Sequence, residues 1–161
     1  MIAAYECEDR PKELSSGREY ALTQQHKHLK EMKKITGLER MPLFSPIIDD
    51  YYSGMVISVQ LYADMLTKKE IPELLLNYYM EYYKKQQFIK VSAVDDEVAV
   101  SRFLAGNGLS GWDGQKIYVT GNEERIVISA QFDNLGKGAS GAAIQCMNII
   151  LGCDEAKGLN L

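Results

Sequence analysis

The sequence predicts an α+β domain: a mixed, largely antiparallel sheet covered by helices. Three observations carry this. Apolar runs at residues 55–62, 88–94, 115–120 and 124–130 have the length and composition of strands. Helical patterns at about 23–36, 67–83 and 138–151 precede, separate and follow them. Several strands are joined by short turns rather than by helical crossovers, which disfavours a doubly wound parallel sheet.

In chain order, residues 2–7 read as a short strand, broken at Asp9-Arg10-Pro11. A domain rarely starts in mid-element, so the chain reads as a piece of something longer, with a frayed terminus as the equal alternative. Ser15-Ser16-Gly17 is a loop. A helix follows from about Thr23, its candidate cap, with Leu29 and Met32 three apart and Thr36-Gly37 as its stop. Residues 41–46 are extended because residues before proline avoid the helical region. Asp49 to Gly54 is a turn. Residues 55–62 form a strand with Ser58 and Gln60 on one face beside Val56, and Met55, Ile57 and Val59 on the other.

Thr67 with Glu70 three residues later makes a capping box for the second helix, and Pro72 lies in its early turns. Leu74, Leu75, Tyr78, Tyr79 and Tyr82 form its apolar stripe. Residues 97–104 fit strand or helix equally. Residues 105–114, with glycines at 106, 108, 111 and 114, are a loop. Gly121-Asn122 turns a hairpin between the next two strands. Gly152 stops the closing helix.

The 161 residues make one domain by length, long enough to bury a sizeable core. A net charge of −4 provides no broad basic field and argues against a nucleic-acid partner. Three cysteines, Cys7, Cys146 and Cys153, match no disulfide framework or metal site and fit a reducing, cytoplasmic compartment. Cys146 and Cys153 sit in apolar company, where a thiol acts as a small hydrophobe. No signal peptide opens the sequence, and no window of 18 apolar residues crosses a membrane. No metal-ligand motif occurs.

The stretch 129–152, SAQFDNLGKGASGAAIQCMNIILG, organises the chain. It joins an apolar strand to a helix of small residues and then large ones. Small residues allow a close approach of backbone to a ligand or a partner element. The glycines and Lys137 match no nucleotide-loop spacing. Backbone N–H groups at a helix start still favour an anion, and Asn134 offers both donor and acceptor. Lys137 is otherwise a solvated cap residue. The chain's two histidines, His26 and His28, are candidates for acid–base chemistry or plain surface residues. Their spacing puts them on different faces if both are helical. The tyrosine-rich second helix and the 55–62 strand suit either a core or a subunit interface.

Residues 127–148, VISAQFDNLGKGASGAAIQCMN, resemble the C-terminal signature of the N-acetyl-gamma-glutamyl-phosphate reductases. Residues 25–32, QHKHLKEM, are similar to that family's paired-histidine helix start. Phe44-Ser45-Pro46 with Tyr52-Ser53-Gly54-Met55, and Ala105-Gly106-Asn107, follow in the family's order. The resemblance implies a glyceraldehyde-phosphate-dehydrogenase-like C-terminal domain. It implies a substrate and dimerisation domain over 1–132 and a returning helix over 133–161 that would pack on an absent Rossmann domain.

The reaction so implied interconverts N-acetyl-gamma-glutamyl phosphate and N-acetylglutamate semialdehyde with NADP, in arginine biosynthesis. A cysteine thiolate attacks, hydride passes to or from nicotinamide, and a histidine handles the proton. NADP would be bound mainly by the absent domain. His26 or His28 takes the acid–base role, with His26 favoured. Asn134 would lie near the nicotinamide, and Gly136, Lys137 and Gly138 would line the cofactor side of the cleft.

The chain departs from the pattern in Lys30-Glu31-Met32, where relatives often carry Pro-Glu-Ile. It departs again in Tyr52-Ser53-Gly54, where many carry an arginine; Arg102 or Lys27 could replace that charge. It lacks the family's cysteine motif and its nucleotide fingerprint, so the fragment alone is expected to be inactive. The expected assembly is a homo-oligomer, dimer or tetramer, acting on a small acyl phosphate. The alternative is a non-catalytic homodimerising module.

Overall fold

A computed structural model describes residues 2–66, 72–92 and 103–161. The chain divides into two compact units, Met1–Tyr51 and Tyr52–Leu161. In the first unit, α1 (Ile2–Tyr5) replaces the strand expected at residues 2–7. A 3-10 turn, Lys12–Ser15, follows. Strands β1 (Arg18–Glu19) and β2 (Ile47–Ile48) then pair antiparallel. Arg10 braces this unit with a bidentate pair to Asp50, at 3.0 and 2.6 Å.

Helix α2 (Lys27–Thr36) starts later than the expected Thr23 cap. Ala21 and Gln24 have φ of 54° and 56°, which no right-handed helix contains. Gln24 instead clasps the backbone of Phe44 through both ends of its amide, at 2.6 and 3.0 Å. His26 becomes the cap, and Gly37 in the left-handed region (φ 72°) ends the helix as expected.

The second unit is built on a four-stranded sheet of order β3-β6-β5-β4: β3 (Met55–Tyr62), β4 (Ile89–Ser92), β5 (Gln115–Gly121) and β6 (Arg125–Phe132). All pairs are antiparallel except β4 with β5. The mixed, largely antiparallel sheet is therefore present as expected. The β5–β6 turn is closed by Asn122, whose Oδ1 accepts the N–H of Glu124 and Arg125.

Helix α3 (Pro72–Tyr83) covers one face of the sheet. The expected capping box at Thr67 and Glu70 lies outside the described residues, as do Arg102 and most of the ambiguous segment 97–104. The expected apolar stripe divides in two. Leu75, Leu76 and Tyr79 pack with Leu66 and Ile128 against buried Ala63, Val119 and Ile126. Leu74, Tyr78 and Tyr82 face solvent, with Tyr78 and Tyr82 stacked at 6.1 Å.

Strand β3 keeps its expected bounds, but as an edge strand it leaves Met55, Ile57 and Val59 exposed. The closing helix does not run unbroken from Gly138. A π-helical turn, Gly136–Ser140, precedes α4 (Gly141–Ile150).

Burial separates the two apolar sets in energy. Ile126 is 1% exposed and Ile57 is 48% exposed. Ile126→Ala should cost about 2–5 kcal/mol by urea unfolding of this chain. Ile57→Ala should cost about 1 kcal/mol or less, a value set by strand propensity rather than by burial. Equal losses would contradict this assignment of the core.

Candidate functional site

The sequence folds Asp133-Asn134-Leu135-Gly136 into an Asx turn. Asp133 Oδ1 accepts the N–H of Leu135 (2.7 Å) and of Gly136 (3.1 Å). Its other oxygen accepts Ser53 Oγ–H at 3.0 Å and Gly111 N–H at 2.5 Å. Ser53 Oγ also meets Ser110 Oγ. One buried carboxylate, 4% exposed, thus gathers three separate segments. Burial pushes its pKa up, but the N–H groups of Gly111, Leu135 and Gly136 and the Ser53 hydroxyl outweigh it. The net result lies below the ordinary carboxylate value.

The same bonds answer the anion question raised by the sequence. The N–H groups of Leu135 and Gly136 are taken by Asp133 Oδ1. Those of Gly138 and Ser140 are taken by the carbonyls of Asp133 and Leu135, in the i to i−5 pattern of a π turn. The helix start therefore carries its own anion. Lys137 is also engaged. Its Nζ donates to Gln145 Oε1 at 2.6 Å and lies 4.8 Å from the centroid of the Phe88 ring. Gln145 and Gln87 both donate to Glu155.

The small residues allow close approach, and the neighbour that approaches is Asp113. A Cβ at Gly136 would lie 2.8 Å from Asp113 Oδ1, and one at Gly141 would collide with the same oxygen. Asp113 is held in turn by the C-terminal tail, through Asn160 N–H to Oδ2 (2.9 Å) and Asp113 N–H to the Asn160 carbonyl (2.8 Å). The buried Asn148 fixes that tail by donating to the carbonyls of Glu155 and Lys157.

Asn134 has one defined end. Gly54 N–H donates to its Oδ1 at 2.7 Å. Gly54 has φ 122°, and a Cβ there would collide with Gly106 O and come within 2.6 Å of Asn107 Cα, so only glycine places that N–H.

The histidines belong to the first unit, whereas Asn134, Gly136, Lys137 and Gly138 belong to the second. His26 is the α2 cap, with its Nδ1 accepting His28 N–H at 3.3 Å. With Nδ1 accepting, the ring N–H is placed on Nε2. Because His26 stands outside the helix, the two rings meet after all, 4.5 Å apart, with Phe44 5.3 Å from His26. Their spacing alone pointed to separate faces. His28 Nε2 lies 3.9 Å from Glu31.

Cys7, Cys146 and Cys153 are all exposed, contrary to the expectation that the last two act as buried hydrophobes. Among the described residues, no group of three or more His, Cys, Asp or Glu could hold a metal, and no helix is long and apolar enough to cross a membrane. A surface depression lined by Tyr62, Ala63, Asp64, Leu66 and residues 123–125 shares no member with either candidate cluster.

Reading by residue type missed Asp133, Ser53, Ser110, Asp113 and Asn148. The D-N-x-G pattern signals the local half of the Asp133 bonds. The long-range half has no sequence signal.

A family model described as semialdehyde dehydrogenase, dimerisation domain, matches residues 6–134. Among curated relatives, the N-acetyl-gamma-glutamyl-phosphate reductase of Rhizobium meliloti (strain 1021) is 36% identical over 154 residues, covering 94% of this chain and 49% of the relative. N-acetyl-gamma-glutamyl-phosphate reductase 2 of Nostoc sp. (strain PCC 7120) is 35% identical over 144 residues, covering 87% and 45%. The Sinorhizobium medicae protein of the same name is 37% identical over 134 residues, covering 82% and 43%. The chain spans about half the length of the curated relatives it matches.

The Asp133 bonds fix the sign of one pH effect. A carboxylate with a depressed folded pKa stabilises above its unfolded pKa of about 3.9, and that contribution disappears as pH falls through the folded value. Wild type should exceed Asp133→Asn in urea midpoint at neutral pH, and the gap should close below about pH 4. A gap independent of pH would contradict a charged Asp133.

Proposed function

The chain belongs to the dimerisation-domain family of semialdehyde dehydrogenases, in its N-acetyl-gamma-glutamyl-phosphate reductase branch, and on that premise we propose that it is the subunit-pairing and substrate half of such a reductase. The whole enzyme would interconvert N-acetyl-gamma-glutamyl phosphate and N-acetylglutamate semialdehyde in the cytoplasm, as a step of arginine biosynthesis. The segment 133–161 would pack on the nucleotide-binding half, and two or more copies would assemble. The observation that carries the reading is the match over residues 6–134 together with an Asn134 side chain whose oxygen accepts Gly54 N–H at the strand-to-helix turn.

NADP, when bound, supplies or accepts the hydride. The residues present fit only one end of it. The backbone donors of Leu135, Gly136, Gly138 and Ser140 are engaged within the segment, so its phosphates belong to the other half. Asn134 Nδ2 has no partner among the described residues and suits a carboxamide. Gly136 and Gly138 would line the cofactor side through their backbone, the space beside their Cα atoms being taken by Asp113 and by the Phe132 ring, while Lys137, drawn back onto Phe88 and Gln145, walls the cleft. His26 holds or delivers a proton through Nε2, since its Nδ1 is committed to the helix cap.

The competing reading is a homodimerising module without chemistry. The exposed Met55, Ile57 and Val59 of β3 favour pairing under either reading.

A graft of this chain onto the nucleotide-binding half of a matching relative separates the two. The graft should reduce the acyl phosphate with NADPH, and the chain alone should not. In the graft, His26→Asn keeps a capping acceptor, so stability should hold while kcat falls about 10²–10⁴-fold. Full turnover by that variant would remove His26 from the reaction. Turnover by the chain alone would overturn the split of the site.

A further inference from the structure

We infer that Asp133 is a positioning residue that holds the Asn134 side chain with its amide nitrogen turned away from Gly54, as a hydrogen-bond donor to a carbonyl-type acceptor on the ligand. The assignment of that ligand rests on the cofactor-facing reading of Asn134 above. The positioning itself rests on geometry alone.

A backbone N–H only donates. The Asn134 atom 2.7 Å from Gly54 N must therefore be the oxygen, and the nitrogen points away. Two consecutive residues, Ser53 and Gly54, thus clasp two consecutive residues, Asp133 and Asn134. The first half of the clasp is buried: Ser53 and Asp133 are 5% and 4% exposed. The second half is less enclosed, since Asn134 is only half-buried. Asp133 fixes three of the neighbours that set the Asn134 pose. Its Oδ2 locks Ser53, and hence the peptide that carries Gly54 N–H. The same oxygen holds Gly111, whose loop begins at the Gly106–Asn107 wall against Gly54. Its Oδ1 closes the turn immediately after Asn134.

With Asp133 intact, the Asn134 amide nitrogen offers its donors in one fixed direction, while the oxygen is turned to Gly54 N–H. A ligand group meeting it must present a lone pair, as a carboxamide oxygen does. An ammonium group does not.

The test is nuclear magnetic resonance on the full 161-residue chain, with the Asn134 side-chain amide identified by its disappearance in Asn134→Asp. In wild type that amide should be rigid, with an order parameter near ~0.85, and Gly54 N–H should be protected from exchange. In Asp133→Asn, and more weakly in Ser53→Ala, the order parameter should fall towards ~0.6 and Gly54 N–H should exchange at least about tenfold faster. Unchanged methyl resonances of Val119 and Ile126 report an intact core. If Asp133→Asn fails to fold, Ser53→Ala decides. A rigid Asn134 in a folded Asp133→Asn or in Ser53→Ala overturns the proposal, as does a freely exchanging Gly54 N–H in wild type. NADP added to the grafted enzyme is the separate arm. A rigid, Asp133-dependent Asn134 whose amide shifts ignore the nucleotide supports the positioning and overturns only the ligand assignment.

Discussion

A single buried carboxylate holds the functional end of this domain together. Asp133 accepts four hydrogen bonds from three segments that are far apart in sequence. Leaving such a group unpaired in the interior would cost several kcal/mol. One carboxylate therefore ties the β6-to-helix turn, the start of β3 and the 105–113 loop to one another. The π turn after Gly136 follows from this constraint. Once Asp133 has taken the first free N–H groups, the chain closes its next bonds five residues back instead of four. The tail adds a second tie from outside, since Asn160 pins Asp113 against the glycines that open the helix.

Under the proposed function, such a clasp would suit a surface that meets a cofactor and a second domain without rearranging. A group held within a fraction of an ångström contributes more to hydride transfer than one that must be ordered at each turnover. The rest of the second unit serves this end. Its sheet is packed on one face by α3, and the edge strand β3 leaves the apolar side chains of Met55, Ile57 and Val59 exposed. The histidine pair shows the same economy in the first unit. His26 caps a helix with one ring nitrogen, which leaves the other for the proton-handling role proposed above.

Periodicity made the sheet legible. The bounds of β3 and the β5–β6 hairpin follow from alternation and from turn residues, because those signals are local. The first helix was placed too early because Thr23 looks like a cap, while the side chain of Gln24 was needed by Phe44, twenty residues away. The short α1 was misread as a strand because four residues carry too little pattern for either assignment. The split of Leu74, Tyr78 and Tyr82 from Leu75 and Tyr79 required knowing where the sheet lies. At the site, the glycines and Lys137 suggested an anion cradle. Their actual neighbours, Asp113, Gln145 and Phe88, reach them only through tertiary structure. The resemblance over 127–148 singles out this segment, but residue types alone could not show that its anion is built in.

That last point is the centre of the account, and inorganic phosphate probes it directly. If Asp133 already fills the helix start, titrating phosphate to about 10 mM at constant ionic strength should produce no saturable change in the amide resonances of Gly111, Leu135 and Gly136. A saturable shift at those three amides, with Lys137 released from Gln145, would show an anion site where this structure has none to offer.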